Sequence, residues 1–228
     1  MGLLSERDKK QLKTLFEKEL KEEVHLIYFT QGEGDIIIPG RPKCMYCRET
    51  DEILKEISTL SEKIQLEIYD FLGNAELAQR YGIDKIPAII IKNETDLGLR
   101  FFGIPSGYEF SAFAEALVMV SQRKTRLKDA TKKKLSEFLK TMKEQILIQV
   151  FVTPTCPYCT RMVSLAYQFA MEFPQISAHI VEATEFPYLA DKYAVFGVPK
   201  TVVNDKVEIE GAISEELFLD SLLKLPRS

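Results

Sequence analysis

The chain has no surplus of positive charge, no long apolar run and only two histidines, and each shortage narrows its function. Thirty lysines and arginines against 34 aspartates and glutamates leave a formal net charge of −4. Such a chain has no overall attraction for phosphate, which argues against a nucleic-acid binder. No stretch approaches the roughly 20 apolar residues of a membrane span, so we expect no membrane partner. His25 and His179 lie in predicted strands, and we interpret them as packing residues.

The N-terminal residues show no targeting signal. Residues 1–10 are charged from the start and lack the apolar stretch of a secretory signal peptide. We therefore expect a cytoplasmic location. We also expect no cofactor and no bound metal ion.

Cysteine is scarce, and its placement is the most informative feature of the chain. All four cysteines belong to two Cys-x-x-Cys motifs, Cys44–Cys47 and Cys156–Cys159, which are 112 residues apart. In both copies a proline follows 43 residues after the first cysteine, and these prolines are Pro87 and Pro199. Flanking apolar positions align at the same offset. The sequence therefore contains a duplication.

The duplication predicts an α/β protein of two units, which we place at residues 1–122 and 123–228. A hydrophobic content of 46% is sufficient for two packed cores. Hydrophobic periodicity predicts the same order of elements in each unit: helix, strand, CxxC motif, helix, strand, helix, two strands and helix. The first unit has about eleven more residues before its CxxC motif. They fall within residues 31–43, whose glycines and prolines predict an inserted loop.

Each CxxC motif follows a predicted strand and opens a predicted helix, which is the context that gives two cysteines redox chemistry. Unpaired N–H groups and the helix dipole at a helix N-terminus stabilise a thiolate. We assign Cys44 and Cys156 as the nucleophiles. Cys47 and Cys159, one turn further along, resolve the mixed disulfide.

The two motifs have different neighbours. Arg41, Lys43 and Arg48 surround Cys44, whereas Pro154 and Thr155 precede Cys156. Positive charge stabilises a thiolate and so favours the reduced form. We therefore predict two distinct reduction potentials, with the Cys44–Cys47 pair the more oxidising.

The paired motifs and prolines resemble the thioredoxin superfamily over nearly the whole chain. The Cys-Pro-Tyr-Cys form at 156–159 is similar to that of glutaredoxins, and two fused units of this length resemble the glutaredoxin-like protein disulfide oxidoreductases of hyperthermophiles. The resemblance implies two tandem thioredoxin-like units, each a central mixed β-sheet flanked by helices. It also implies oxidation, reduction and isomerisation of protein disulfides, with a flavoprotein of the thioredoxin-reductase type as electron donor.

Together with the shared spacing, the resemblance predicts cis peptide bonds before Pro87 and Pro199. A cis proline there would expose the backbone of Ile86 or Val198 to an extended substrate. These four residues are the predicted substrate-binding residues.

The sequence departs from the family at two points. Many thioredoxins have a buried acid on the strand before the CxxC motif, and the corresponding residue of the second unit is Val150. Glu182 and Asp70, at the ends of the following strands, are candidate proton acceptors for the resolving cysteines. The Gly-Gly-Asp element with which glutaredoxins bind glutathione is replaced by sequences beginning at Gly103 and Gly211, so we do not predict glutathione dependence.

Two other functions fit part of the pattern. One is a redox-relay module of a peroxide-defence system, similar to the N-terminal part of alkyl hydroperoxide reductase flavoproteins. That part usually keeps a single CxxC motif, whereas both are intact here. The other is a structural zinc protein in which the four cysteines converge on one site.

Overall fold

The computed structural model describes residues 2–32 and 44–226. The elements of the first unit are α1 (Glu6–Glu19), β1 (Val24–Thr30), α2 (Cys47–Ser58), β2 (Ile64–Asp70), α3 (Ala75–Arg80), β3 (Ala88–Lys92), β4 (Leu99–Phe102) and α4 (Tyr108–Gln122). Those of the second unit are α5 (Asp129–Leu139), β5 (Ile146–Val152), α6 (Cys159–Glu172), β6 (Ile176–Glu182), α7 (Pro187–Lys192), β7 (Lys200–Val203), β8 (Val207–Glu210) and α8 (Glu215–Leu222).

The predicted order of elements is confirmed, and most boundaries agree to within three residues. A difference of this size occurs at α5: the apolar periodicity of the sequence predicts a helix from about Thr131 to Met142, whereas α5 ends at Leu139. The N–H groups of Thr141 and Met142 donate to carbonyls only three residues back, which tightens the last turn and ends the α-helix. The predicted inserted loop at 31–43 lies mostly outside the described residues.

One continuous sheet of eight strands runs through both units, in the order β2-β1-β3-β4-β6-β5-β7-β8. Within each unit the first two strands are parallel, and the last two add antiparallel. The parallel pairing of β4 with β6 joins the units. The predicted fold class is therefore confirmed, and the two mixed sheets share hydrogen bonds across the junction.

Successive strand residues point to opposite faces of this sheet, and each face has its own core. Tyr28 and Val150 face the larger core, which is covered by α1, α2, α4, α5, α6 and α8. Phe29 and Phe151 face the smaller core, which is covered by α3 and α7. In residues 2–32 and 44–226, no helix is long and apolar enough to cross a membrane.

Candidate active sites

Both CxxC motifs lie between the end of a strand and the start of a helix, as predicted. In the first unit α2 begins at Cys47, and in the second unit α6 begins at Cys159. Each pair forms a disulfide, with Cα atoms 5.6 Å apart for Cys44–Cys47 and 5.5 Å apart for Cys156–Cys159. We call these disulfides the first and second centres.

The second centre is set against backbone polar groups. The Sγ atom of Cys156 accepts a hydrogen bond from the N–H of Cys159 at 3.1 Å. The same sulfur lies 3.6 Å from the carbonyl oxygen of Val198. Cys156 is 7% exposed and Cys159 is fully buried. An N–H group aimed at the outer sulfur stabilises negative charge there, so this geometry favours a thiolate at Cys156 in the reduced protein.

The first centre is hydrogen-bonded to a buried tyrosine. The buried hydroxyl of Tyr28 donates to the carbonyl oxygen of Cys47 at 2.7 Å. Tyr28 pairs with Ile68 on β2 as Val150 pairs with Ile180 on β6, so Tyr28 and Val150 occupy equivalent positions. Burial raises the pKa of the Tyr28 hydroxyl, which is therefore a neutral donor at physiological pH. A phenol thus stands in the first unit where many thioredoxins have an acid.

Both predicted cis peptide bonds, Ile86–Pro87 and Val198–Pro199, are confirmed. Each precedes the strand that pairs with the strand leading to the cysteines. The carbonyl oxygen of Pro87 accepts from the N–H of Gly103 at 3.0 Å, which fixes this turn to the end of β4. In the second unit, the carbonyl oxygen of Val198 lies beside the sulfur of Cys156, and substrate binding at these prolines stays a prediction.

The residues before the two prolines differ in chemistry. In the second unit Phe196 is 95% exposed, two residues before Val198. The equivalent residue of the first unit is Asp84, whose carboxylate contacts the ammonium group of Lys85 at 2.6 Å. The ammonium group of Lys85 also lies 3.9 Å from the ring centroid of Phe102. The segment before each cis proline, which we call the border of its centre, is therefore apolar in the second unit and charged in the first.

The two proton acceptors predicted from sequence lie in different environments. Glu182 is 1% exposed, and its carboxylate accepts from the backbone and hydroxyl of Thr184 and from the N–H of Glu185. Asp70 is exposed on β2, where its carboxylate accepts from the N–H of Gly73 at 2.6 Å. The difference follows from strand position, because β2 is a sheet edge and β6 is in the interior of the sheet.

A third acid, Glu109, was not predicted from the sequence. It lies in the first turn of α4, fully buried, and neither carboxylate oxygen has a hydrogen-bond partner. Burial raises its pKa to about 9, and the charges of Glu182 and Glu185 act in the same direction. We call Glu109, Glu182 and Glu185 the carboxyl cluster.

The carboxyl cluster is close to the approach to the second centre. The N–H of Tyr108 donates to the carbonyl oxygen of Pro154 at 2.9 Å, two residues before Cys156. Gly107 has a φ of 57°, and a Cβ atom there would overlap the same carbonyl. An acid in the first turn of a helix normally suggests a solvated end. Gly107 is the local signal that this helix start lies against another part of the chain.

The four cysteines do not converge on one centre, because each pair is closed as a disulfide of its own unit. Among the residues that the structure describes, no group of three or more histidine, cysteine or acidic side chains is arranged to hold a metal ion. The zinc-site hypothesis therefore has no support in the geometry.

Residues 146–224 match the family model described as a thioredoxin domain. A thioredoxin from Methanocaldococcus jannaschii is 28% identical over 81 residues, which cover 35% of this chain and 95% of that protein. The resemblance inferred from the paired motifs is thus confirmed.

Several known proteins are similar to this chain over most of its length. The structure of a protein disulfide oxidoreductase from Aeropyrum pernix matches with a TM-score of 0.83 and 28% identity, covering 96% of this chain and 92% of that one. An alkyl hydroperoxide reductase protein from Pseudomonas aeruginosa is 25% identical over 172 residues, which cover 75% of this chain and 30% of that protein. The chain also spans 37% of an NADH dehydrogenase from Ferdinandcohnia aciditolerans. A thioredoxin fold with two CxxC centres is the arrangement of a thiol–disulfide oxidoreductase.

Proposed function

We propose that the protein exchanges disulfides with protein substrates in the cytoplasm, with one centre in each of two units at residues 1–122 and 123–228. Cys44 and Cys156 are the nucleophiles, and Cys47 and Cys159 are the resolving cysteines. The observation that carries this proposal is the position of Cys156, whose sulfur lies between the N–H of Cys159 and the carbonyl oxygen of Val198.

In the reducing direction, the thiolate of Cys156 attacks one sulfur of a substrate disulfide. The substrate disulfide breaks, a mixed disulfide forms, and one substrate thiolate leaves and takes up a proton. Cys159 loses its proton and attacks Cys156, which releases the second substrate thiol and leaves the centre as a disulfide. Two electrons pass to the substrate, and an external dithiol or flavoprotein reductant must return them. In the oxidising direction the same steps run in reverse.

Neither buried acid near the second centre is suited to accept the proton of Cys159. Glu109 already holds a proton at neutral pH, because its pKa is about 9. Hydrogen bonds from Thr184 and Glu185 already occupy the carboxylate of Glu182. The departing substrate thiolate, which must take up a proton, is therefore the acceptor that we propose.

Protein substrates would bind as extended segments beside the cis prolines. The backbones of Ile86 with Pro87 and of Val198 with Pro199 offer hydrogen-bonding groups at the edge of each centre. At the second centre, Phe196 and Tyr158 are exposed next to the sulfur-bearing loop and provide apolar contact area. This arrangement favours partly unfolded polypeptides, whose disulfides lie among exposed apolar residues.

The test of this function is the reduction of insulin disulfides and the refolding of scrambled ribonuclease. The protein should be compared with the double variants Cys44→Ser/Cys47→Ser and Cys156→Ser/Cys159→Ser. We expect the unaltered protein to catalyse reduction with dithiothreitol, and at least one double variant to lose most of that activity. Full activity of the variant that combines all four serine substitutions would exclude the cysteines as the reacting groups. Refolding of ribonuclease separates an isomerase from a simple reductase.

A redox relay for peroxide defence is the second candidate, and the similarity to the alkyl hydroperoxide reductase protein favours it. In that role the protein would receive electrons from a flavoprotein and pass them to a peroxidase rather than to diverse proteins. Peroxide-dependent oxidation of NADPH, measured with a thioredoxin-type reductase and a two-cysteine peroxidase, tests this role. Fast turnover there with negligible insulin reduction would favour the relay.

A further inference from the structure

Glu185 belongs to the second unit but contacts the first centre's surroundings. It follows β6, and its Oε1 atom accepts from the N–H of Ile104, in the first unit, at 2.6 Å. The neighbouring N–H of Gly103 donates to the carbonyl oxygen of Pro87 at 3.0 Å. A Cβ atom at Gly103 would lie 2.8 Å from the same Glu185 oxygen, so the absent side chain allows this approach. The carboxylate is therefore held against the turn after β4, and Gly103 of this turn is hydrogen-bonded to the first centre's proline.

Two further elements of the first unit face the same carboxylate. Burial is the main cause of the raised pKa of Tyr28, and the charges of Asp51 and Glu185 add to it. Tyr28 is the residue whose hydroxyl donates to the carbonyl oxygen of Cys47. From α2, the charge of Glu49, two residues after Cys47, acts on Glu185. A hydrogen bond at the end of β4 and charge interactions with β1 and α2 thus link Glu185 to the residues around the first centre.

The pairing of β4 with β6 explains how a residue of one unit reaches the other. Phe102 at the end of β4 lies opposite Val181 on β6. Because the two strands are parallel, the turns that follow them lie side by side at the same end of the sheet. Glu185 lies in one of these turns, and Gly103 and Ile104 lie in the other. The described part of the first unit has no equivalent, since β2, the strand corresponding to β6, ends at the exposed Asp70 at the edge of the sheet.

We propose that Glu185 is a positioning residue through which the second unit controls thiol ionisation at the first centre. A negative charge on Glu185 disfavours a second negative charge on Cys44, and protonation of Glu185 removes that penalty. The proposal deepens the proposed function and rests on it, because it concerns the regulation of the same first centre.

Glu185 gains and loses its proton close to neutral pH. Burial raises its pKa to about 7; the N–H of Ile104 opposes the rise, and the charges of Glu182 and Glu49 support it. The titratable groups that face Glu185 are Glu182 on β6, Glu49 on α2 and Tyr28 on β1. Glu109 on α4 is linked to it, since the charge of Glu185 raises the pKa of Glu109. The charges of Glu182 and Glu49 thus help Glu185 to retain its proton near neutral pH.

The test uses a protein that keeps only the first centre, the Cys156→Ser/Cys159→Ser variant of the full chain. Its reduced form is alkylated with iodoacetamide between pH 5 and pH 9, and modification of Cys44 is followed by mass spectrometry. Adding Glu185→Gln should speed alkylation at pH 7 by about twofold or more, because the neutral amide no longer opposes the thiolate. It should also remove the inflection near neutral pH that Glu185 contributes to the profile.

The matched control is Glu137→Gln, which removes the same charge from an exposed position on α5 of the second unit. Its profile should overlay that of the parent variant. If the Glu185→Gln profile also overlays the parent, Glu185 does not act on the first centre and the proposal is overturned. Insulin reduction by the unaltered protein is measured in parallel, so that a failure of the proposed function is recognised separately from a failure of this inference.

A second measurement does not depend on the folding of Glu185→Gln. Coupling between two ionisations is reciprocal, so a thiolate on Cys44 must raise the pKa of Glu185 by the same factor. Carboxyl titrations by carbon-13 nuclear magnetic resonance, in the oxidised and reduced first-centre protein, detect that change. A cluster carboxyl whose midpoint rises on reduction supports the proposal. Identical titrations of all buried carboxyls in the two states overturn it.

Discussion

The two centres share one skeleton and differ in almost everything that surrounds it. Both have a disulfide at the start of a helix and a cis proline before the adjacent strand. Beneath the first centre is the neutral phenol of Tyr28, whereas the corresponding position of the second is the aliphatic Val150. The first centre is bordered by the Asp84–Lys85 ion pair, and the second by the exposed ring of Phe196.

The comparison shows that duplication of a sequence does not duplicate an environment. When two units join edge to edge, one strand end becomes interior while its counterpart remains at an edge. Glu182 is buried at the interior end, and Asp70 is solvated at the outer edge. The second unit therefore has a buried group of acids at the junction. The first unit interacts with these acids only through contacts across the junction.

The largest effect that we expect is on the rate of insulin reduction when one of the two nucleophiles is replaced. We predict that Cys156→Ser lowers dithiothreitol-driven insulin reduction by about two orders of magnitude, because the attacking thiolate is lost. Cys44→Ser should lower it by about twofold or less, since the charged border of the first centre is a poorer surface for an unfolded polypeptide. Retention of more than half the normal rate by Cys156→Ser would show that the second centre is not the main site.

The carboxyl cluster should appear in the pH dependence of stability. Glu109 has a pKa of about 9 in the folded protein and an ordinary carboxyl pKa in the unfolded chain. The folded state therefore holds the extra proton, and its stability is greatest below the unfolded pKa and falls as the pH rises toward 9.

We predict that the free energy of unfolding falls by about 4 kcal/mol between pH 5 and pH 8 because of this group, and that Glu109→Gln removes most of the slope. Guanidinium unfolding at several pH values measures it, with Glu137→Gln as the control for a lost exposed charge. A slope that is the same in Glu109→Gln and the unaltered protein would mean that Glu109 is ionised in the folded state at neutral pH.

The fold and the two CxxC disulfides could be predicted from the sequence for a physical reason. Periodicity of apolar residues sets helices and strands locally, and a CxxC motif needs only four consecutive residues to place its sulfurs. The cis bonds before Pro87 and Pro199 were also predictable, because the duplication gives the same spacing from each first cysteine. These features depend on short stretches of chain or on a repeat that is visible without a structure.

The carboxyl cluster was not predictable in the same way. Glu109 is separated from Glu182 and Glu185 by more than seventy residues, and they meet only because β4 pairs with β6. No periodicity indicates which edge strands of two units will join. Tyr28 was missed for another reason: its place beneath the first centre depends on the strand register, which the extra residues before Cys44 obscure when positions are counted from the cysteine.

A smaller effect should distinguish the substrate surfaces. We predict that Phe196→Ala raises the KM for reduced, unfolded ribonuclease by about tenfold, because burial of a phenyl ring contributes about 1–2 kcal/mol to binding. Asp84→Ala should leave that KM unchanged, as should Leu15→Ala, which removes an exposed apolar side chain on α1. Steady-state rates over a range of substrate concentrations measure this. An equal rise in KM for Asp84→Ala would mean that both borders contact the substrate.

The smallest expected effect is the difference between the two reduction potentials. Flanking charge alone predicts that the first centre is the more oxidising, but Arg41 and Lys43 lie outside the described residues. Arg48 is 71% exposed and paired with Glu52, so its influence on Cys44 is small. Two features act in the opposite sense. The N–H of Cys159 is aimed at Cys156 and favours the thiolate of the second centre, whereas the charge of Glu185 disfavours that of the first.

We therefore expect the Cys156–Cys159 centre to be the more oxidising, by roughly 20 mV, which corresponds to about 1 kcal/mol for a two-electron couple. Glutathione redox titration of each single-centre variant, read by thiol alkylation at pH 7, measures the two midpoints. Adding Glu185→Gln to the first-centre protein should raise its potential and narrow the gap, because the variant stabilises the reduced thiolate. If the first centre is instead the more oxidising, the effect of the basic residues near Cys44 exceeds that of the acids across the junction.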